Sequence, residues 1–152
     1  MMLRISLLAV VVFLVGCETP ATAVPVPHIE DAGFAPALQV DLAASTKLSN
    51  GEYVRDLSAG TGDDVALGKT LNVIYTGWLV DGTRFDGNAG GKPFAFHYGT
   101  GEVITGWDEG FTGMKVGGSR QLIIPPSLGY GVRGAPPSIP SNAILIFNVS
   151  LQ

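Results

Sequence analysis

The side chains of this sequence that could do chemistry are mostly aromatic. Tyr75, Phe85, Phe94, Phe96, Trp107 and Phe147 fall at positions that the local patterns turn inward. That is more aromatic bulk than a domain of about 105 residues needs merely to fold. Phe96 reads as core filling. Trp107 and Tyr75 read as the floor of a pocket, because a tryptophan facing a sheet must also find a partner for its N–H. Such a set binds an apolar group and excludes water; it does not attack bonds. A nucleophile would need a base beside it, and of the two histidines only His97 lies within the folded part, on the non-aromatic face of its strand. Two other constellations lead nowhere. Gly129 to Gly134 satisfies GxGxxG, but Pro136-Pro137 follows and no helix can open there. The acidic pairs Asp63-Asp64 and Asp108-Glu109 read as solvated faces or partners of a helix dipole rather than metal ligands.

These side chains need a scaffold, and the stretch Glu102 to Gly118 is its centre. Ile104, Trp107, Phe111 and Met114 fall at the spacing of one helical face, which predicts a helix of about two to three turns. Thr105 is the expected cap, with Asp108 completing a capping box, and Gly117-Gly118 closes the far end. The internal glycines Gly110 and Gly113 would cost an isolated helix roughly 1 kcal/mol each, so packing on a sheet must hold it. Strands are expected over Glu52 to Leu57, Lys69 to Val80, Thr83 to Asp86, Phe94 to Tyr98, Arg120 to Ile124 and Ala143 to Leu151. In the second of these, Leu71, Val73, Tyr75, Gly77 and Leu79 form the inward row, and Asp81-Gly82 marks the tight turn that follows. The loop from Ser127 to Asn142 is rich in Gly and Pro, long for so compact a domain, and its one aromatic residue is Tyr130. Twenty-one glycines and ten prolines fit many turns between short antiparallel strands around one helix, an α+β arrangement. A formal charge of -4, a pI near 4.9 and the absence of any basic run exclude nucleic acid as a partner.

The N-terminus is a separate object. Arg4 precedes an apolar run from Ile5 to Val15, too short to cross a bilayer of about 30 Å, so residues 1–16 read as a secretory signal. Leu14-Val15-Gly16-Cys17 resembles a bacterial lipobox, which implies that Cys17, the only cysteine, becomes a lipid-bearing N-terminus. Residues 17–45 carry Pro20, Pro25, Pro27 and Pro36 without sustained periodicity and read as a disordered, Pro/Ala-rich tether. The folded domain is then 46–152, held in a bacterial cell envelope by its lipid. Glu18 after the cysteine points to the outer membrane, with the domain facing the periplasm, in a host with two membranes.

The runs VIYTGWLVDGTRFD, KPFAFHYGTGEVITGWDEGFTGMKVGG, IIPPSLGYG and GAPPSIPSNAILIFNVSL resemble the FKBP-type peptidyl-prolyl cis/trans isomerases, in order, over Thr46 to Gln152. The resemblance implies an α+β fold, an antiparallel half-barrel sheet of five to six strands wrapped around one short helix. It implies catalytic roles for Tyr75, Asp86, Trp107, Tyr130 and Phe147, and substrate contacts from Phe85, Phe94, Val103, Ile104 and Ile139. Trp107 would floor the proline site, Phe85, Phe94 and Phe147 would wall it, and the Ile104 N–H and the Tyr130 hydroxyl would donate to the ligand. The implied partners are proline-containing peptides, unfolded protein clients and macrolides of the FK506 and rapamycin type, with no cofactor and no metal. A module with the same pocket but little turnover is the alternative. The chain departs from the family where many members carry an arginine after the Phe-Asp pair: here the loop is GNAGG, with no charge before Lys92. Lys92 or the Tyr75 hydroxyl is left to satisfy Asp86.

Overall fold

The computed structural model of the protein describes residues 25–152. The predicted signal sequence, Cys17 and the first part of the tether lie outside the described residues. Seven strands form one antiparallel sheet: β1 (Thr46–Lys47), β2 (Tyr53–Ser58), β3 (Thr70–Leu79), β4 (Arg84–Gly87), β5 (Phe94–His97), β6 (Ser119–Ile124) and β7 (Leu145–Leu151). Their order is β1-β2-β6-β7-β3-β4, with β5 also paired to β3. The strand beyond those expected is β1, which pairs Thr46 and Lys47 with Val54 and Tyr53. β3 is long enough to serve two partners along one edge: β5 takes Thr70 to Val73 and β4 takes Thr76 to Trp78.

The single α-helix among the described residues, α1 (Thr105–Gly110), is shorter than its apolar spacing predicted. Trp107, Phe111 and Met114 are all buried as expected, but the last two follow the helix in turns, because Gly113 adopts a positive φ of 75° that ends regular winding. The expected capping box does not form. Ile104 is the N-cap and no side chain caps it; the Asp108 carboxylate instead accepts the Gly99 and Gly101 N–H groups, each at 2.9 Å, tying the helix to the turn before it. Gly110 has a structural reason: a Cβ there would lie 2.6 Å from the Glu52 Oε1 and 2.9 Å from Leu122, so only glycine lets α1 seat directly on β2 and β6. Arg120, buried on β6, donates to the carbonyls of Gly110 and Thr112 at 2.7 and 2.8 Å and to Asp56 at 2.7 Å. It thereby satisfies the carbonyls at the end of the helix, where the dipole favours a cation.

Alternation along the strands gives the sheet two apolar faces. Leu71, Val73, Leu122, Phe147, Val149 and Leu151 pack against Trp107, Phe111 and Met114 on one side. Ile123, Ile144 and Ile146 point the other way, and there 29–42, part of the tether expected to be disordered over 17–45, is packed instead. Ile29 to Leu42 lies across this face as a strap, burying Ile29 and Leu38 against the three isoleucines, with Phe34, Ala35, Val40, Leu42 and Trp78 partly buried around them. Polar ties hold its backbone: the Ala35 N–H donates to the Val80 carbonyl at 2.8 Å, the buried Gln121 amide to the Leu38 carbonyl at 2.9 Å and Arg55 to the Gln39 carbonyl at 2.7 Å. The Tyr53 hydroxyl donates to Glu30 at 2.7 Å, and Lys47 pairs with the same carboxylate. The strap has no period to read because its contacts come from two short 3₁₀ turns, Ile29–Asp31 and Pro36–Leu38, joined by extended chain. An antiparallel sheet with apolar residues on both faces requires a cover on both.

Candidate active site

Between α1, the β3 end of the sheet and the loop after β6 lies a cavity of about 460 Å³. Its floor is Trp107, 4% exposed, with the Tyr75 ring edge-on at 4.9 Å and the Phe147 ring edge-on at 5.4 Å. Phe85 stands at right angles to Phe147, 5.4 Å between centroids, and Phe94 meets Trp107 at 6.1 Å. Rings held edge to face cannot collapse onto one another, so the space above the indole stays open. Gly77 helps to keep it so: a Cβ there would lie 2.7 Å from both Phe85 and Phe147. Val103 and Ile104, at the entry to α1, complete the apolar lining.

The polar groups of the cavity are few. The Tyr75 hydroxyl donates to Asp86 Oδ2 at 2.8 Å, and Asp86 Oδ1 accepts the Gly87 N–H at 2.7 Å. Asp86 is therefore satisfied by the tyrosine and by its own turn, and Lys92, the other candidate, forms no bond with it. Burial, and then the bond to Asp86, push the Tyr75 hydroxyl up to about 12, so it is a neutral donor throughout the working pH range. Tyr130 also has its ionisation raised, by burial and then by the charge of Asp86. Its side chain stands at the rim, 41% exposed, and its hydroxyl makes no hydrogen bond among the described residues. The Ile104 N–H, at the helix N-cap, is likewise unused among the described residues. Two donors thus face a largely apolar hollow.

Nine of the ten site residues expected within 46–152 line this cavity. The exception is Ile139: it is 4% exposed, packs in the main core and pairs with Ala135 across a turn of the long loop. The Trp107 N–H does not find the partner expected of it among the described residues. Glu102 lines the cavity although the sequence reading passed over it. Its side chain accepts the His97 N–H at 2.9 Å and lies 2.7 Å from the His97 ring nitrogen; these bonds hold its carboxyl below the usual range. The five-residue spacing of His97 and Glu102 across a Gly-rich turn was the available signal. Cys17 lies outside the described residues.

The family model of FKBP-type peptidyl-prolyl cis-trans isomerase matches residues 62–152. The chain belongs to this family. Among curated FKBP relatives, an FK506-binding protein of Neisseria meningitidis serogroup A is 50% identical over 99 residues, 64% of this chain and 91% of that one. FK506-binding protein 4 of Rhizopus delemar is 52% identical over 106 residues, 70% of this chain, which spans only 28% of that longer protein. Two crystal structures of FKBP proteins share the fold: AtFKBP13, with a TM-score of 0.67 and 35% identity over 70% of this chain and 95% of that one, and FkpA from Escherichia coli, with 0.65 and 38% over 71% and 50%. The family model's match begins within the turn after β2, whereas the relatives align over 99 and 106 residues and so reach further toward the N-terminus.

Proposed function

We propose that the protein accelerates cis/trans isomerisation of X-Pro bonds in unfolded protein clients, and that it does so at a bacterial envelope membrane to which Cys17 anchors it. The observation that carries the first half is the open, aromatic-walled hollow over Trp107, with donors at its rim and no nucleophile. Rotation about an X-Pro bond faces a barrier of about 18 to 20 kcal/mol because amide resonance is lost in the twisted state. The planar amide is the more charge-separated form, so a dry hollow disfavours it relative to the twisted one. The proline ring rests on the Trp107 indole, the flanking carbonyls accept from the Ile104 N–H and the Tyr130 hydroxyl, and the peptide is held in a turn. No bond is made or broken. Lowering the barrier by about 8 kcal/mol gives roughly a millionfold acceleration. A protease-coupled assay on an X-Pro peptide series tests this: acceleration that a macrolide of the FK506 or rapamycin type blocks is expected. Macrolide binding without acceleration would leave a binding module instead.

The membrane half rests on the apolar run Ile5 to Val15 and on the stretch Leu14-Val15-Gly16-Cys17 that overlaps its end. With the strap packed from Ile29 onward, only residues 18–28 remain to span between a lipid and the folded domain, at most about 40 Å when fully extended. Cys17→Ser should move the protein from the membrane fraction to the soluble one. A variant that stays with the membranes sinks the anchoring.

A further inference from the structure

β3 changes partners in its middle. β5 covers it up to Val73 and β4 covers it from Thr76, so on this edge Ile74 and Tyr75 face no strand. Tyr75 is the residue there whose ring meets Trp107 and whose hydroxyl meets Asp86. The gap is filled by one amide. Asn88 accepts the Tyr75 N–H on Oδ1 at 2.7 Å, donates its own backbone N–H to the Tyr75 carbonyl at 3.0 Å, and donates from Nδ2 to the Val73 carbonyl at 2.9 Å. The same Nδ2 reaches the Lys92 carbonyl at 3.0 Å, and the Asn88 carbonyl accepts the Gly91 N–H at 2.8 Å, so the loop leading to Phe94 is closed by the same residue.

We propose that Asn88 is the positioning residue of this site: its side-chain amide supplies the missing rung of the sheet at Tyr75 and thereby sets the Tyr75–Asp86 hydrogen bond at the cavity wall. The chemistry requires asparagine. Oδ1 must accept while Nδ2 donates twice, which a carboxylate cannot do and a hydroxyl cannot do at both ends. This is how a loop of sequence GNAGG, with no charged side chain of its own before Lys92, keeps Asp86 and Tyr75 in register. On the far side Arg84 braces the same turn, donating to the Asp86 and Gly87 carbonyls at 3.3 and 3.0 Å. The catalytic part of the claim rests on the isomerase reading above; the positioning part does not.

The test uses the full chain with its four tyrosines replaced by 3-fluorotyrosine, the resonances being assigned by single Tyr→Phe variants. In N88A the Tyr75 fluorine resonance should shift while that of Tyr53, on the strap face, stays in place. The kcat/KM for an X-Pro peptide should fall about tenfold, the scale of one lost hydrogen bond in a desolvated site. In a Y75F background the same N88A change should cost less than about twofold, because the group that Asn88 positions is already gone. Should N88A fail to fold, N88D serves: it keeps an acceptor for the Tyr75 N–H but loses both side-chain donors, and the same Tyr75 shift is expected. An unmoved Tyr75 resonance, or an equal loss of kcat/KM in both backgrounds, overturns the proposal. If the wild-type chain accelerates no isomerisation, the functional reading fails, and the fluorine resonance still decides whether Asn88 positions Tyr75.

Discussion

The two faces of the sheet are both apolar and are built on opposite plans. The face toward α1 is walled by rings at its cavity end: Tyr75, Phe85, Phe94, Trp107 and Phe147 meet edge-on or tilted at 4.9 to 6.2 Å and enclose open space. The face toward the strap is mainly aliphatic: Ile29, Leu38, Ile123, Ile144 and Ile146 are buried in one cluster, with Tyr53 beside them and Phe34 and Trp78 at its edge. Branched aliphatic side chains interlock and fill space, whereas rigid rings in perpendicular contact prop it open. One sheet therefore serves both as the wall of a cavity and as half of a solid core. The family model's match covers β3 to β7, and the strap that completes the solid face lies before it.

If that division of labour is right, the largest effect on stability comes from the solid face. Truncation to begin at Ala44 strips the strap and bares Ile123, Ile144 and Ile146. Losing the burial of Ile29 and Leu38 alone costs about 3 to 6 kcal/mol, and the bared patch promotes association. Urea unfolding and light scattering read both outcomes. A truncated chain with an unchanged urea midpoint would reduce the strap to a passive covering.

The next contrast pairs one residue from each face. Trp107→Ala removes the cavity floor and should abolish macrolide binding and lower kcat/KM by at least about a hundredfold, besides destabilising the fold by about 3 to 5 kcal/mol. Leu38→Ala should destabilise by about 2 to 5 kcal/mol and leave kcat/KM within about twofold while the protein stays folded. Comparable kinetic losses in the two variants would mean that the strap controls the cavity through the sheet, and the division between faces would fall.

What could be read from the sequence follows the same division. Strict alternation in β3, β6 and β7 exposed both faces of the strands, and the aromatic excess on one of them marked the cavity before any coordinates. Trp107, Tyr75 and Phe147 were legible because their spacing on helix and strand dictates their direction. The strap was not, because irregular chain has no period, and its prolines, which start a 3₁₀ turn at Pro36, look the same as those of a linker. Asn88 was illegible for a different reason. Its role exists only where β3 changes partners, and that change depends on the lengths of β4 and β5, which no local pattern prints. Ile139 was assigned to the site through resemblance alone, and it packs in the main core.

The smallest expected effect tests the seam between the two plans, where Glu52 enters β2 beneath the end of α1. Its side chain is completely buried and neither carboxylate oxygen has a partner among the described residues. Burial, and then the nearby Glu109, push it from its ordinary 4.5 up to about 8, despite the pull of the Asn50 side chain and of Arg120. In the folded chain Glu52 thus holds a proton across neutral pH that the unfolded chain has released. The folded state binds more protons between pH 4.5 and 8, so stability falls as pH rises through that window and levels off above it. Glu52→Gln keeps the shape and removes the titration. Its gain over wild type should be near zero at pH 4.5 and grow to about 2 kcal/mol at pH 8, less than the full shift would give because the opened site admits water. Urea midpoints at four or five pH values measure this directly. A gain that does not change with pH would mean the carboxyl titrates normally. The seam would then be wetter than its packing against Gly110 and Leu122 allows.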